Sequence, residues 1–167
     1  MNDFLGVERY GPGRSGVWLR RVAVLLILLA PAHAPGADLE FETVPLTIDS
    51  TTGKLEFEVE LAATAEQRRQ GLMFRDSLED DHGMLFDFGR TGPVTMWMRN
   101  TYIPLDMLFI DADGQIRRIV EHTQPLSDAV IGSGGPVRAV LELRGGVSDE
   151  LGIEPGDRVI HPTFPTP

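Results

Sequence analysis

The most regular pattern of hydrophobic and polar positions in the chain lies between residues 55 and 61. Apolar side chains at 55, 57, 59 and 61 alternate there with glutamates at 56, 58 and 60. Alternation with a period of two is typical of a strand that buries one face and exposes the other. The pattern therefore predicts a strand with one acidic face in solvent.

Short apolar runs separated by Gly, Pro, Asn or Asp indicate more strands along the rest of the chain. They are predicted over residues 42–49, 83–88, 94–99, 105–111, 115–121, 137–143 and 157–161. The residues Asp111-Ala112-Asp113-Gly114 between two of these runs are typical of a hairpin turn. Many short strands with turn residues between them favour a barrel or sandwich over alternating β and α layers.

Two segments have the end signals of short helices. Thr64 is followed three residues later by Gln67, which is the pattern of a capping box, and Gly71 stands where a helix often ends. These signals predict a helix over residues 65–70, and a second short helix is predicted over 148–151. The expected fold is mainly β (β-rich α+β): a small closed or partly closed β-barrel with one or two short helices.

Residues 22–30 form an unbroken apolar run, preceded by Arg20 and Arg21 and followed by an A-x-A pattern at Ala32-His33-Ala34. This order is typical of a secretory signal peptide. The run is shorter than the roughly 20 residues of a membrane-spanning helix, although retention as an N-terminal anchor is the alternative. We expect an N-terminal extension and signal peptide over residues 1–37, a single β-rich domain over 38–167, and a periplasmic or secreted location.

The expected mature domain is strongly acidic. From residue 38 onward, 11 basic side chains stand against 23 acidic ones, which gives a formal charge of −12. This charge repels phosphate backbones, so nucleic acid is not an expected partner. The chain has no cysteine, which excludes disulfides, thiolate metal sites and thiol nucleophiles. We expect a monomer that meets a membrane only through an uncleaved leader.

Several sequence blocks together resemble the family called domain of unknown function 192, also known as uncharacterised protein family 0127 (UPF0127). The matching blocks are EQRRQGLMFR at 66–75, GMLF at 83–86, MWMRNT at 96–101, IPLDM at 103–107, GPV at 135–137, VLEL at 140–143 and GIxxGD at 152–157. In order and spacing they cover residues 55–164. The resemblance implies a compact β-barrel-like domain, often behind a signal peptide, and it implies no established activity.

The densest group of chemically versatile side chains lies in residues 96–106. Trp97 and Arg99 share one face if 94–99 is a strand, and Asn100, Thr101 and Asp106 follow closely. Together they offer an aromatic surface, a cation, and hydrogen-bond donors and acceptors, which suit a small polar or sugar-like ligand. The structural alternative is that Asn100 and Thr101 make a turn, Asp106 caps backbone amides and Trp97 covers the barrel mouth.

Arg75 and Glu142 are charged residues that adjoin apolar segments. An arginine paired with a carboxylate can close the end of a barrel or hold an anionic ligand. The sequence leaves open whether Glu142 pairs with Arg75, with Arg99 or with neither. Both residues join the candidate ligand-binding set, which is Arg75, Trp97, Arg99, Asn100, Thr101, Asp106 and Glu142.

No spacing of residues identifies a reaction, so no catalytic residue, metal ligand or cofactor is predicted. The leading hypothesis is an exported module of the cell envelope that binds a small polar or sugar-like ligand or an envelope protein. The first alternative is an envelope carbohydrate-active enzyme that uses Asp106 or Glu142 as an acid or base. The second is soft-metal (copper) binding through Met73, Met84, Met96, Met98 and Met107 with His82, although methionines on strands normally fill a core.

Overall fold

A curled sheet of seven strands dominates the computed structural model, which describes residues 39–165. The elements in chain order are β1 (Glu42–Ser50), β2 (Gly53–Ala62), α1 (Ala65–Gln70), β3 (His82–Met96), β4 (Leu105–Ile110), β5 (Ile116–Val120), β6 (Ile131–Arg144), α2 (Val147–Leu151) and β7 (Arg158–Ile160). The strand order is β5-β4-β6-β3-β2-β1-β7. The predicted signal peptide and the domain boundary at residue 37 lie outside the described residues.

The sheet curls into a half-barrel whose two edge strands meet at one corner. The backbone N–H of Ile116 in β5 donates to the carbonyl of Asp157, at 2.9 Å, and that of Val159 in β7 donates to Gly114, at 2.7 Å. Within residues 39–165, the outermost strands are joined near that corner and nowhere else. The expectation of a mainly β fold, a partly closed barrel with two short helices, is therefore confirmed for residues 39–165.

The capping box of α1 and the β4–β5 hairpin turn, both predicted from the sequence, are present in the structure. The hydroxyl of Thr64 accepts from the Gln67 amide at 3.1 Å, and the Gln67 side chain accepts from the Thr64 amide at 2.9 Å, so the capping box is complete. Gly71 follows α1 with a φ of 48°, which glycine adopts readily. At the β4–β5 hairpin, an Asp111 side-chain oxygen accepts from the Asp113 amide at 2.9 Å. Both motifs are confirmed.

The longest strands differ from the sequence expectation. The predicted strands 83–88 and 94–99 are one strand, β3, which ends before Trp97, and β6 begins at residue 131 rather than 137. Bulges between Asp87 and Gly92 and between Pro93 and Thr95 let the chain carry turn residues without leaving the sheet. Glycines and prolines thus hid the continuity of both strands.

Two apolar clusters lie on opposite faces of the sheet. Leu141 and Leu143 of β6 belong to the first cluster, whereas Val140 belongs to the second. Because side chains alternate along a strand, Glu142 points to the same face as Val140. This face is covered by the segment that follows α1 and by residues 98–105, which contribute buried side chains to the second cluster. Alternation therefore buries a carboxyl group inside an apolar layer.

No helix among the described residues has the length and apolar character needed to cross a membrane.

Candidate functional site

Glu142 lies in a row of side chains that crosses four neighbouring strands. Glu60 in β2 pairs with Met84 in β3, Met84 pairs with Glu142 in β6, and Glu142 pairs with Met107 in β4. Directly paired residues point to the same face of a sheet. Met84 and Met107 have no exposed surface, and Glu142 is 4% exposed. The carboxyl-bearing residue is therefore flanked by two buried methionines.

A cavity of about 100 Å³ lies over this part of the sheet. We call it the Glu142 cavity, and its lining is formed by residues 68–73, Phe86, Phe88, residues 95–97, Thr101 and Glu142. Gly71 allows the chain after α1 to come close to the sheet, because a Cβ there would lie 3.1 Å from the Phe86 ring. Aromatic rings, two threonine hydroxyls and a buried carboxyl group thus surround one small space.

The Glu142 carboxyl group is chemically isolated within residues 39–165. No side-chain hydrogen bond or ion pair of Glu142 occurs in this part of the chain. Burial raises its pKa to about 8, because the charged form loses its hydration and gains no partner there. At neutral pH the group is therefore mostly protonated, and it offers the cavity an acidic O–H donor.

The two arginines that the sequence offered as partners of Glu142 pair elsewhere. Arg75 donates two parallel hydrogen bonds to Glu60, at 2.7 and 2.5 Å. Arg99 pairs with Asp128, with 2.6 Å between Nε and Oδ1, and its guanidinium lies 5.2 Å from the centre of the Trp97 ring. The question left open by the sequence is thereby answered, since neither arginine reaches Glu142.

Asp106 is fully buried and bonds to backbone amides. One of its oxygens accepts from the amides of His122 and Gly146, at 2.9 and 3.0 Å, and the other accepts from Ser148 at 2.9 Å. These bonds tie β4 to the start of α2 and to the loop after β5. Asp106 does not line the Glu142 cavity. Its contacts match the capping role that was the structural alternative.

The other candidate residues divide between the cavity and a turn. Trp97 is half-exposed and lines the cavity together with Thr101, which is buried. Asn100 has a φ of 57°, and its carbonyl accepts from the Phe74 amide at 2.8 Å. The structure therefore brings Trp97, Thr101 and Glu142 together. It leaves Asn100 in a turn beside them, as the structural alternative held.

The methionines lie mainly in the core. Met84, Met98 and Met107 have no exposed surface and belong to the second apolar cluster. The sulfur of Met98 lies 3.1 Å from the Thr123 hydroxyl, which also lies 2.8 Å from the Leu105 carbonyl oxygen. His82 stands apart from them at the surface, where its Nδ1 is 2.8 Å from an Asp81 oxygen and this bond raises the pKa of the imidazole. The positions match core filling.

Sequence reasoning did not select Arg68, Arg69, Phe86, Phe88 or Thr95, which also line the cavity. All five lie in α1 or β3, whose faces the sequence did not assign to a site. The one sequence signal near them was Gly71, which indicated the end of α1 and not its close approach to β3. Recognising the cavity required the contact between α1 and β3.

Two solved structures are similar to this chain. A candidate transcription regulator from Sinorhizobium meliloti 1021 is 47% identical, with a TM-score of 0.74, over 77% of this chain and 100% of that chain. A protein of unknown function from Novosphingobium aromaticivorans DSM 12444 is 40% identical, with a TM-score of 0.71, over 80% of this chain and 94% of that chain. A comparison with curated proteins found no match.

The family resemblance drawn from the sequence blocks is also confirmed. The family model described as DUF192, uncharacterised ACR, matches residues 47–161, which include the strands and α1 residues that form the cavity. The chain therefore belongs to the domain of unknown function 192 family.

Proposed function

We propose that this protein is a binding module that takes a small polar ligand, or one polar group of a larger ligand, into the Glu142 cavity. The observation that carries the proposal is a buried carboxyl group without a partner in residues 39–165, on the wall of an open cavity. A bound group can hydrogen-bond to this carboxyl without displacing a side-chain hydrogen bond or ion pair in residues 39–165. The Glu142 carboxyl group is therefore a place where a ligand can gain binding energy.

A purely structural role for Glu142 explains less. A buried carboxyl group that serves the fold normally has hydrogen-bond partners. Asp106 shows how this domain satisfies a carboxylate that serves the fold, with three backbone amides around it. Glu142 has no such bonds within the described part of the chain. The contrast between two buried carboxyl groups in one domain supports a ligand role for Glu142.

The neighbouring residues have complementary roles in this proposal. Thr95 provides a hydroxyl group that can donate to or accept from a ligand, and Phe86 and Phe88 provide apolar walls. The Thr101 hydroxyl donates to the Arg99 carbonyl at 3.4 Å and can still accept from a ligand. Trp97, held under the Arg99 guanidinium, borders the cavity on its exposed side. The site is therefore mixed in character, with an apolar wall and a few polar groups.

We further propose that the module works in the periplasm or outside the cell, with a small ligand or an envelope protein as partner. The support is the apolar run at residues 22–30, behind Arg20 and Arg21 and before an A-x-A pattern. The description of the Sinorhizobium meliloti relative as a candidate transcription regulator belongs to that protein. A formal charge of −12 from residue 38 onward disfavours a DNA-binding role for this chain.

An enzyme is the second candidate, favoured by one observation. A carboxyl group with a pKa of about 8 in a cavity is protonated near neutral pH and is suited to general acid catalysis. Carbohydrate hydrolysis usually requires a second carboxyl group opposite the first. Asp106 is engaged by backbone amides, and Glu60 pairs with Arg75. Binding without turnover is therefore the function that the geometry supports better.

A ligand screen by thermal shift on residues 38–167 tests the proposal. The panel contains monosaccharides, cell-wall fragments, small amines, amides and carboxylic acids, because a ligand that binds only the folded state raises Tm. We expect a hit whose shift is lost in Glu142→Gln and kept in Glu56→Gln, which changes an exposed glutamate on β2. Binding at Glu142 would be contradicted if no compound raised Tm, or if a compound raised the Tm of both variants equally.

A further inference from the structure

Three segments meet beside the Glu142 cavity and expose large apolar side chains. The amide of Phe74 donates to the Asn100 carbonyl at 2.8 Å, and that of Leu126 donates to the Thr101 carbonyl at 3.0 Å. Phe74, Tyr102 and Leu126 are 55%, 47% and 61% exposed. The Phe74 and Tyr102 rings pack edge to face, with centroids 6.1 Å apart. We call these three side chains the apolar rim.

The backbone holds two of these side chains in an unfavourable conformation. Phe74 and Leu126 have φ angles of 65° and 60°, a region that L residues with bulky side chains rarely adopt. Within residues 39–165, the other positive-φ residues besides glycine are Asn100 and His122, and both lie in the same segments. Exposed apolar groups that are fixed rather than folded inward indicate a contact surface for another molecule.

The size of the Glu142 cavity limits what enters it. Sites for whole small molecules usually measure roughly 300–1,000 Å³, and a cavity of about 150 Å³ is enough for one benzene molecule. The Glu142 cavity is about 100 Å³. It therefore suits a group the size of one side chain, and the rest of the ligand would lie outside, where the apolar rim is exposed.

We propose that the apolar rim and the Glu142 cavity together bind an extended segment of a partner polypeptide, whose lysine side chain enters the cavity and places its ammonium group on the Glu142 carboxylate. This inference rests on the proposed function and names the class of ligand. Charge complementarity supports it in two ways. Glu142 has no cationic partner in the described residues, and residues 38–167 carry a formal charge of −12.

The other charged side chains around the cavity do not occupy the place beside the Glu142 carboxyl group where the lysine ammonium would bind. Arg68 donates to the backbone carbonyls of Ala63 and Asp87, at 2.5 and 2.7 Å, and Arg69 is exposed on the side of α1. Glu60, on the same face two strands away, is occupied by Arg75. None of these groups pairs with Glu142 in residues 39–165. A compact ammonium on a flexible stem fits the space better than the larger planar guanidinium of arginine.

The proton balance of the complex gives a signature. Below pH 8 the isolated carboxyl group of Glu142 is protonated, so pairing with an ammonium group releases that proton to solvent. Affinity should therefore rise with pH, by up to about tenfold per unit, until the pH passes 8. A ligand that only accepts a hydrogen bond from protonated Glu142 would show the opposite trend above that pH.

The test uses the 38–167 domain and short peptide libraries with random flanks and a fixed central residue. The central residue is lysine or its uncharged isostere norleucine, and n-butylammonium serves as the free side-chain analogue. We expect retention of lysine over norleucine by about tenfold or more at about pH 8. Glu142→Gln should remove this preference, and Glu56→Gln, which changes an exposed carboxylate, should keep it.

The rim is tested by Phe74→Asn combined with Leu126→Asn. Asparagine tolerates positive φ, so this variant should fold with unchanged or higher Tm. It should lose peptide binding by about tenfold or more while n-butylammonium still binds. Binding of n-butylammonium without peptide preference would overturn the polypeptide inference and leave the proposed function standing. A lysine preference that persists in Glu142→Gln, or no binding of either probe, would also overturn it.

Discussion

At the scale of single residues, two buried carboxyl groups in one domain have opposite surroundings. Asp106 accepts three backbone amide bonds, whereas Glu142 has no partner in the described residues and faces a cavity. The sequence selected both and could not separate them, because the difference depends on which backbone amides reach each side chain. Those amides come from residues 16 to 42 positions away from Asp106 in the chain.

The isolated Glu142 carboxyl group makes stability depend on pH in a definite direction. Its pKa is 4.5 in an unfolded chain and about 8 in the folded protein. Between these values the folded state binds more protons, so the free energy of unfolding falls as pH rises. Glu142→Gln keeps a neutral side chain of similar shape and removes this loss.

We therefore expect the Tm of Glu142→Gln to exceed that of the natural sequence by a margin that grows between about pH 5 and about pH 8. Thermal melts of both proteins across that range measure the margin, and the subtraction cancels other titrating groups such as His161. Glu56→Gln, on an exposed strand face, should show a margin near zero. A margin that stays constant with pH would contradict the burial of an isolated carboxyl group.

At the scale of elements, hydrophobic periodicity and helix-end signals predicted the strand that has one solvent-exposed face and the helix that has a capping box. The alternation at 55–61 and the Thr64–Gln67 box placed β2 and α1. They were not enough for β3 and β6, since Gly92, Pro93 and the glycines at 132–135 look like loop residues although bulged pairing keeps them in the sheet. The predicted continuation of this strand from residue 97 to 99 was wrong for a different reason, because no neighbouring strand pairs there among residues 39–165.

The pairing of β3 with β6 depends on a glycine under Glu142. A Cβ at Gly83 would lie 2.6 Å from the Glu142 carbonyl oxygen and 2.8 Å from a Leu143 methyl group. Gly83→Ala should therefore destabilise the domain by about 1–3 kcal/mol, because neither the backbone nor the packed leucine can move freely. Urea unfolding monitored by Trp97 fluorescence measures this loss.

Gly132→Ala is the matched control within the same strand pair. A Cβ at Gly132 meets no atom within 4 Å, and this residue pairs with Thr95. Its free energy of unfolding should stay within about 0.5 kcal/mol of the natural sequence. Equal effects of the two substitutions would show that close packing at Gly83 does not hold β3 against β6.

At the scale of the whole molecule, the two faces of the curled sheet explain why the Glu142 cavity lies on the side away from the first apolar cluster. The first apolar cluster fills the inside of the half-barrel, while the second cluster and the Glu142 cavity lie between the opposite face and its covering segments. Composition and turn spacing predicted the curl. They could not predict the cavity, because it arises where α1, β3 and residues 97–101 meet.

A carboxyl group that is mostly protonated at neutral pH, enclosed on this second face, is the feature on which the proposed site depends. The most direct measurement is a ¹³C NMR titration of the glutamate side-chain carboxyl carbons, with the Glu142 signal assigned by its absence in Glu142→Gln. We expect a midpoint for Glu142 near pH 8. A Glu142 midpoint near 4.5 would contradict it.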